Sequence, residues 1–144
     1  VTKPILTQPE AAYIEEIYRQ VEKGLTPSVS RLATKFGVKM PSAVEMLDKL
    51  EKKGFIVRRP WKTPKITLSG RALAENIVHN HRIIEIYFTK KLGLDSDFCC
   101  EEATKIDNLI GDEVVSRMCV DLSHPDESCH GIPIKHVYCK KISR

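Results

Sequence analysis

His81 and Glu85 stand four residues apart in a stretch of helical spacing, so their side chains leave one face of the helix a turn apart. A neutral imidazole beside a carboxylate is a good ligand pair for a divalent first-row metal; for an arbitrary His-x-x-x-Glu the competing reading is a surface ion pair. Further metal-ligating residue types are concentrated in the same half of the chain. Cys99-Cys100 opens the next helical stretch, and Ser128-Cys129-His130-Gly131 lies between Pro125 and Pro133, with His124 upstream. A cysteine beside a histidine in such an irregular tail is a candidate ligand. Cys119, inside a helical stretch, reads instead as a core thiol. Cys139 is given no role, and the near-regular spacing of 119, 129 and 139 matches no ligand motif. The chain shows no Gly-rich phosphate loop, no nucleophile elbow and no zinc-finger spacing, so no enzyme is expected.

The elements that must position these residues follow from periodicity and punctuation. A first helix is expected from residue 9 to Gly24, with Ile14, Ile17, Tyr18 and Val21 inward. A second follows Thr26-Pro27, with Val29, Leu32, Ala33 and Phe36 inward, and ends at Gly37. A third starts at Pro41-Ser42, carries Val44, Leu47 and Leu50 inward and ends at Gly54. The short link 37–40 between the last two is the connection of a helix-turn-helix. Phe55-Ile56-Val57 and Ile66-Thr67-Leu68 read as strands around a loop with basic residues and no acidic one, which makes a wing. Ser69-Gly70 opens a long helix to Leu92 with Leu73, Ile77, Ile84 and Phe88 on one stripe. Two more are expected, one capped at Asp95-Ser96-Asp97 and running through Ile110, one from Gly111-Asp112 with Val115, Met118 and Leu122 inward.

The fold class expected is therefore mainly α: a winged helix-turn-helix over residues 1–75, then an all-helical domain with an irregular tail over residues 76–144. Charge follows the same division. Residues 1–75 hold 14 Lys+Arg against 8 Asp+Glu, a balance of +6, while residues 76–144 hold 9 against 11. A basic front half suits a polyanion such as nucleic acid. The 144 residues contain no run approaching the ~18 apolar residues of a membrane helix, and the N-terminal residues lack the apolar core of a signal peptide. Five cysteines, an odd number at irregular spacing, speak for a reducing compartment, so a cytoplasmic location is expected.

In order along the chain, Tyr13-Ile14-Glu15-Glu16-Ile17-Tyr18, Gly24-Leu25-Thr26-Pro27, Thr67-Leu68-Ser69-Gly70, His81-Arg82-Ile83-Ile84-Glu85, Gly93-Leu94-Asp95, Gly111-Asp112-Glu113-Val114 and Cys129-His130-Gly131-Ile132-Pro133 resemble the diphtheria-toxin-repressor family of metal-dependent transcription regulators. The resemblance covers nearly the whole chain and implies the form without the C-terminal SH3-like domain that some members carry. It implies a repressor of metal-homeostasis genes that binds a palindromic operator in double-stranded DNA as a homodimer, with no membrane and no small-molecule substrate.

For the metal it implies His81, Glu85, Cys100, Cys129 and His130, with Cys100 standing where some members place a histidine and Cys129 directly beside the tail histidine. A second, weaker set falls on Glu15, Asp107 and Asn108, with Ala12 and Thr104 at positions where ligands are expected. The soft cysteines favour Fe(II), with Mn(II) as the alternative and Zn(II) as a surrogate in a purified sample. By family position Lys39, Pro41, Ser42 and Glu45 face the bases, Ser30 and Arg31 the backbone, and Arg58, Arg59, Lys62 and Lys65 of the wing the phosphates. Two other readings stay open: a winged-helix regulator with structural zinc and a cysteine-redox trigger at Cys99-Cys100, and a winged helix that binds protein.

Overall fold

The computed structural model describes residues 6–58, 63–137 and 139. Chain contacts divide it into two compact units, Val1–Glu75 and Asn76–Arg144. No helix among the described residues is long and apolar enough to cross a membrane.

The first unit holds helices α1 (Gln8–Glu22), α2 (Val29–Phe36) and α3 (Met40–Lys52), then strands β1 (Ile56–Val57) and β2 (Lys65–Ile66). Thr7 caps α1 through its side chain, and Ser28 caps α2 by accepting from the Arg31 amide. The turn into α3 begins at Gly37, whose φ of 62° is the left-handed conformation that glycine adopts at least cost. Helix α3 packs on α1 and α2, and Leu47 and Leu50 of α3 are fully buried, as are Ile14 and Ile17 of α1 and Leu32 of α2. Tyr13 stacks on Phe36, ring centroids 4.2 Å apart. Val21, expected inward, is 41% exposed because α1 ends within the next turn.

The strands pair antiparallel, Ile56 opposite Ile66 and Val57 opposite Lys65. The second strand ends before Thr67, short of the expected Leu68, because Thr67 is used to begin the next helix. Its hydroxyl accepts from the Gly70 amide and donates to the Gly54 carbonyl, while its own amide donates to Phe55. A Cβ on Gly70 would stand 2.0 Å from the Phe55 carbonyl oxygen, so this approach of helix to wing admits only glycine.

Helix α4 (Leu68–Leu92) runs from the first unit into the second. There α5 (Ser96–Ile106) is capped by Asp95, whose carboxylate accepts from the Asp97 and Phe98 amides. It stops short of the expected Ile110: residues 107–109 turn off, and the Asp107 carbonyl accepts from the Asn80 side chain. Helix α6 (Asp112–Asp121) follows. The tail folds back on these helices through an isolated bridge between Glu127 and Pro133 and a bond from the Arg82 guanidinium to the Pro133 carbonyl. Ile134 joins Ile83, Ile86, Val115 and Cys119 in an apolar cluster.

Candidate metal centre

His81 and Glu85 are among the most buried polar residues described, 2% and 1% exposed. Both project from α4 one turn apart. Cys100, on the first turns of α5, places its sulfur 3.4 Å from His81 Nε2, and a Glu85 oxygen lies 3.8 Å from the same nitrogen. One ligand atom from each of these three residues lies within 4.8 Å of the others. From the tail, His130 brings Nε2 to 2.9 Å from the other Glu85 oxygen, and that oxygen has no aligned hydrogen-bond donor among the described residues. Ser128 holds the turn that presents His130, its hydroxyl accepting from the His130 and Ile132 amides.

The other ring nitrogen of His81 lies 3.2 Å from Asp107 Oδ2. A carboxylate accepts, so Nδ1 carries the proton and Nε2 turns its lone pair toward Cys100 and Glu85. This is how a second group fixes the tautomer and aim of a metal-binding histidine. The donor set (imidazole, carboxylate, thiol, imidazole) fits a divalent first-row metal, and a carboxylate buried this deeply calls for a positive partner.

The structure therefore gathers His81, Glu85, Cys100 and His130. It does not gather Cys129 with them: this thiol is exposed, lies 3.7 Å from Thr89 Oγ1, and is held above its ordinary pKa by partial desolvation, with the Glu85 carboxylate adding to the shift. Asp107, assigned from sequence to the weaker set, is the partner of His81. Asn108 is buried beside it, and Thr104 donates to the Cys100 carbonyl. Glu15 belongs to the first unit, where its carboxylate binds Arg19 at 2.6 Å. Sequence reasoning missed Asn80, whose amide fixes the Asp107 backbone. Its only sequence signal is a polar residue inside a helix stretch that is otherwise buried.

On the opposite face of α4, burial pushes the His79 imidazole down to about 4, with His136 and His124 adding to the shift. Burial, reinforced by Cys139, pushes the Cys119 thiol up to about 12.

In the first unit Ser30, Arg31, Lys39, Pro41, Ser42 and Glu45 are all exposed. Pro41, Ser42 and Glu45 lie on the first turns of α3, where Glu45 also meets Lys49 at 3.7 Å. Lys65 is exposed on β2. Arg58 departs from the expected wing role: its guanidinium binds Asp48 and lies 3.5 Å from Glu51, which ties it to α3. Arg59 and Lys62 lie outside the described residues.

Residues 6–63 match the family model described as iron dependent repressor, N-terminal DNA binding domain, and residues 67–136 match that described as iron dependent repressor, metal binding and dimerisation domain. The chain belongs to the iron-dependent repressor family. It is 30% identical over 122 residues to the diphtheria toxin repressor of Corynebacterium diphtheriae, covering 85% of this chain and 54% of that protein. It is 27% identical to the iron-dependent repressor IdeR of Mycobacterium tuberculosis, over 85% of this chain and 53% of that one. The chain thus spans about half the length of these iron-dependent relatives. Among solved structures it is similar to a manganese-dependent transcriptional repressor in complex with manganese, with a TM-score of 0.82 at 26% identity, over 94% of this chain and 62% of that one. It is also similar to a hypothetical protein, SSo2273, from Sulfolobus solfataricus, with a TM-score of 0.70 at 27% identity, over 90% of this chain and 99% of that one.

Proposed function

We propose that this member of the family is a metal-activated, DNA-binding transcriptional repressor, acting as a homodimer on a palindromic operator in the cytoplasm. The observation that carries this reading is the meeting of His81, Glu85 and Cys100, from two helices, at one largely buried point, with the partly exposed His130 of the tail against the other Glu85 oxygen. These four residues would hold the cation, which when bound supplies the positive charge that a buried carboxylate and a thiol require. Asp107 keeps His81 in the ligating tautomer, and Asn80 keeps Asp107 in place. The thiol of Cys100 favours Fe(II), while the Glu85 carboxylate leaves Mn(II) as the second ion.

In the first unit the exposed start of α3 offers Lys39, Pro41, Ser42 and Glu45 to base edges in a major groove. Ser30, Arg31 and Lys65, with Arg59 and Lys62 of the wing, would meet phosphates, making affinity fall with salt. The redox reading is weaker because Cys99 is fully buried while Cys100 turns to His81, so the two thiols serve different surroundings.

The test is an anaerobic titration of DNA binding with Fe(II) and with Mn(II). His81→Ala or Glu85→Ala is expected to abolish both tight metal binding and the metal-dependent gain in DNA affinity. Operator binding equally tight with and without metal would overturn the reading.

A further inference from the structure

His79 lies two residues before His81 on α4, so its side chain leaves the helix some 200° away, on the opposite face. Around it stand Cys119 of α6 and, from the tail, His136 and Cys139. One ligand atom from each of the four lies within 4.8 Å of all the others. Cys119 Sγ is 3.4 Å from His136 Nδ1, and His124 Nδ1 approaches Cys119 Sγ at 3.2 Å and Cys139 Sγ at 3.5 Å. Sulfur and nitrogen ligands at ~2.3 and ~2.0–2.1 Å from a tetrahedral ion stand about 3.3–3.8 Å apart, and the separation of Cys119 Sγ from His136 Nδ1 is of that size.

Two further observations point to an ion. His79 is 4% exposed, and its Nε2 is buried with no hydrogen-bond partner among the described residues. His136 lies 2.8 Å through Nε2 from the Pro125 carbonyl; a carbonyl only accepts, so Nε2 is the protonated nitrogen and Nδ1 presents a lone pair toward Cys119. Buried histidines are ordinarily satisfied on both sides by protein donors and acceptors. Here an imidazole nitrogen and two thiols meet beside an apolar cluster that contains Cys119 and Cys139 themselves.

We propose that His79, Cys119, His136 and Cys139 bind one Zn(II) in a closed tetrahedral site, separate from the His81 set. Two sulfurs and two nitrogens in such a geometry select zinc. Four ligand atoms this close share one ion, unlike two cysteines and two histidines divided between the irons of a cluster. As Zn(II) binds, Cys119 and Cys139 each lose a proton to solvent, and the dication with two thiolates is neutral overall, as a buried site requires. Ser123 and His124 both have left-handed backbone, and the His124 ring lies beside the two sulfurs. The ion fastens both ends of the segment that carries His130, since Cys119 precedes that segment and His136 and Cys139 follow it.

The test measures zinc and iron content by plasma mass spectrometry on the full chain and on variants, after dialysis against a weak chelator. The chain and the His81→Ala/Glu85→Ala double variant are expected to keep one zinc each. Introduced into that double variant, where no His81 set is left to hold zinc as a surrogate, Cys119→Ser and Cys139→Ser are each expected to lose it. Cys139 lies outside every helix, so circular dichroism on Cys139→Ser separates loss of the ion from loss of the fold. Cobalt(II) reconstitution in a Cys100→Ser background should give thiolate-to-cobalt charge-transfer absorption that Cys139→Ser removes. Zinc retained in both cysteine variants would overturn the proposal, as would iron in place of zinc, or zinc that disappears with His81 and Glu85.

Discussion

Helix α4 carries two ligand sets on opposite faces, and they differ in donors and in enclosure. On one face His81 and Glu85 combine with a single thiol, and His130 keeps 46% of its side chain exposed. On the other, His79 joins two thiols and a second tail histidine, with Cys119 fully buried and Cys139 8% exposed. The first set mixes hard and soft donors and opens toward solvent through the tail, which suits an ion that is bound and released. The second is sulfur-rich and, apart from the half-buried His136, buried, so an ion held there is expected to exchange more slowly. A residue offset of two, from 79 to 81, is enough to place two candidate sets back to back on one helix, one proposed to sense and the other to fasten.

The largest effect expected from this contrast is on stability. Removing the ion of the His79 face, by Cys119→Ser or by a strong chelator, should lower the melting temperature by on the order of 15 °C, equivalent to about 3 kcal/mol in a domain of this size. His81→Ala should also lower it, because it leaves the buried Asp107 carboxylate without its imidazole, but a strong chelator should then lower it further, as it does in the unaltered chain. Calorimetry with and without chelator checks this, and a chelator that no longer shifts the His81→Ala variant would erase the distinction between the two sets.

A smaller effect tests the sensing face alone. Asp107→Ala removes the acceptor on His81 Nδ1 that fixes the tautomer, so Fe(II) or Mn(II) affinity should fall about 10–100-fold. Zinc content should not change. Titration calorimetry with parallel metal analysis reads both, and an unchanged affinity would mean that Asp107 does not orient His81.

The smallest effect lies in the first unit and leaves both faces of α4 untouched. Lys65→Ala should reduce the slope of log K against log salt by about 0.9, the effect of one lost phosphate contact. Arg58→Ala should leave that slope nearly unchanged, because its guanidinium already binds Asp48. Equal changes in slope would return Arg58 to the DNA surface.

The sequence by itself determined the order of elements and the start of each helix, because caps, glycines and apolar spacing act locally. Thr7, Ser28 and Asp95 cap as their types require, and Gly37 turns the chain between α2 and α3. It also proposed His81, Glu85, Cys100, Cys129 and His130 as ligands, since the i, i+4 pair lies on one helix and the family resemblance implied the other three. Only tertiary structure decided which remaining groups join them. Asp107 is 26 residues from His81, and its approach depends on where α5 stops, which no local spacing encodes. Arg58 reads as a loop charge in sequence, but the pairing of β1 brings it back to Asp48 on α3. Cys119, His136 and Cys139 show no ligand spacing because the tail must first fold back across α4 and α6 before His79 can meet them. Periodicity reports which side of an element is buried; it does not report what the chain brings to that side from forty or sixty residues away.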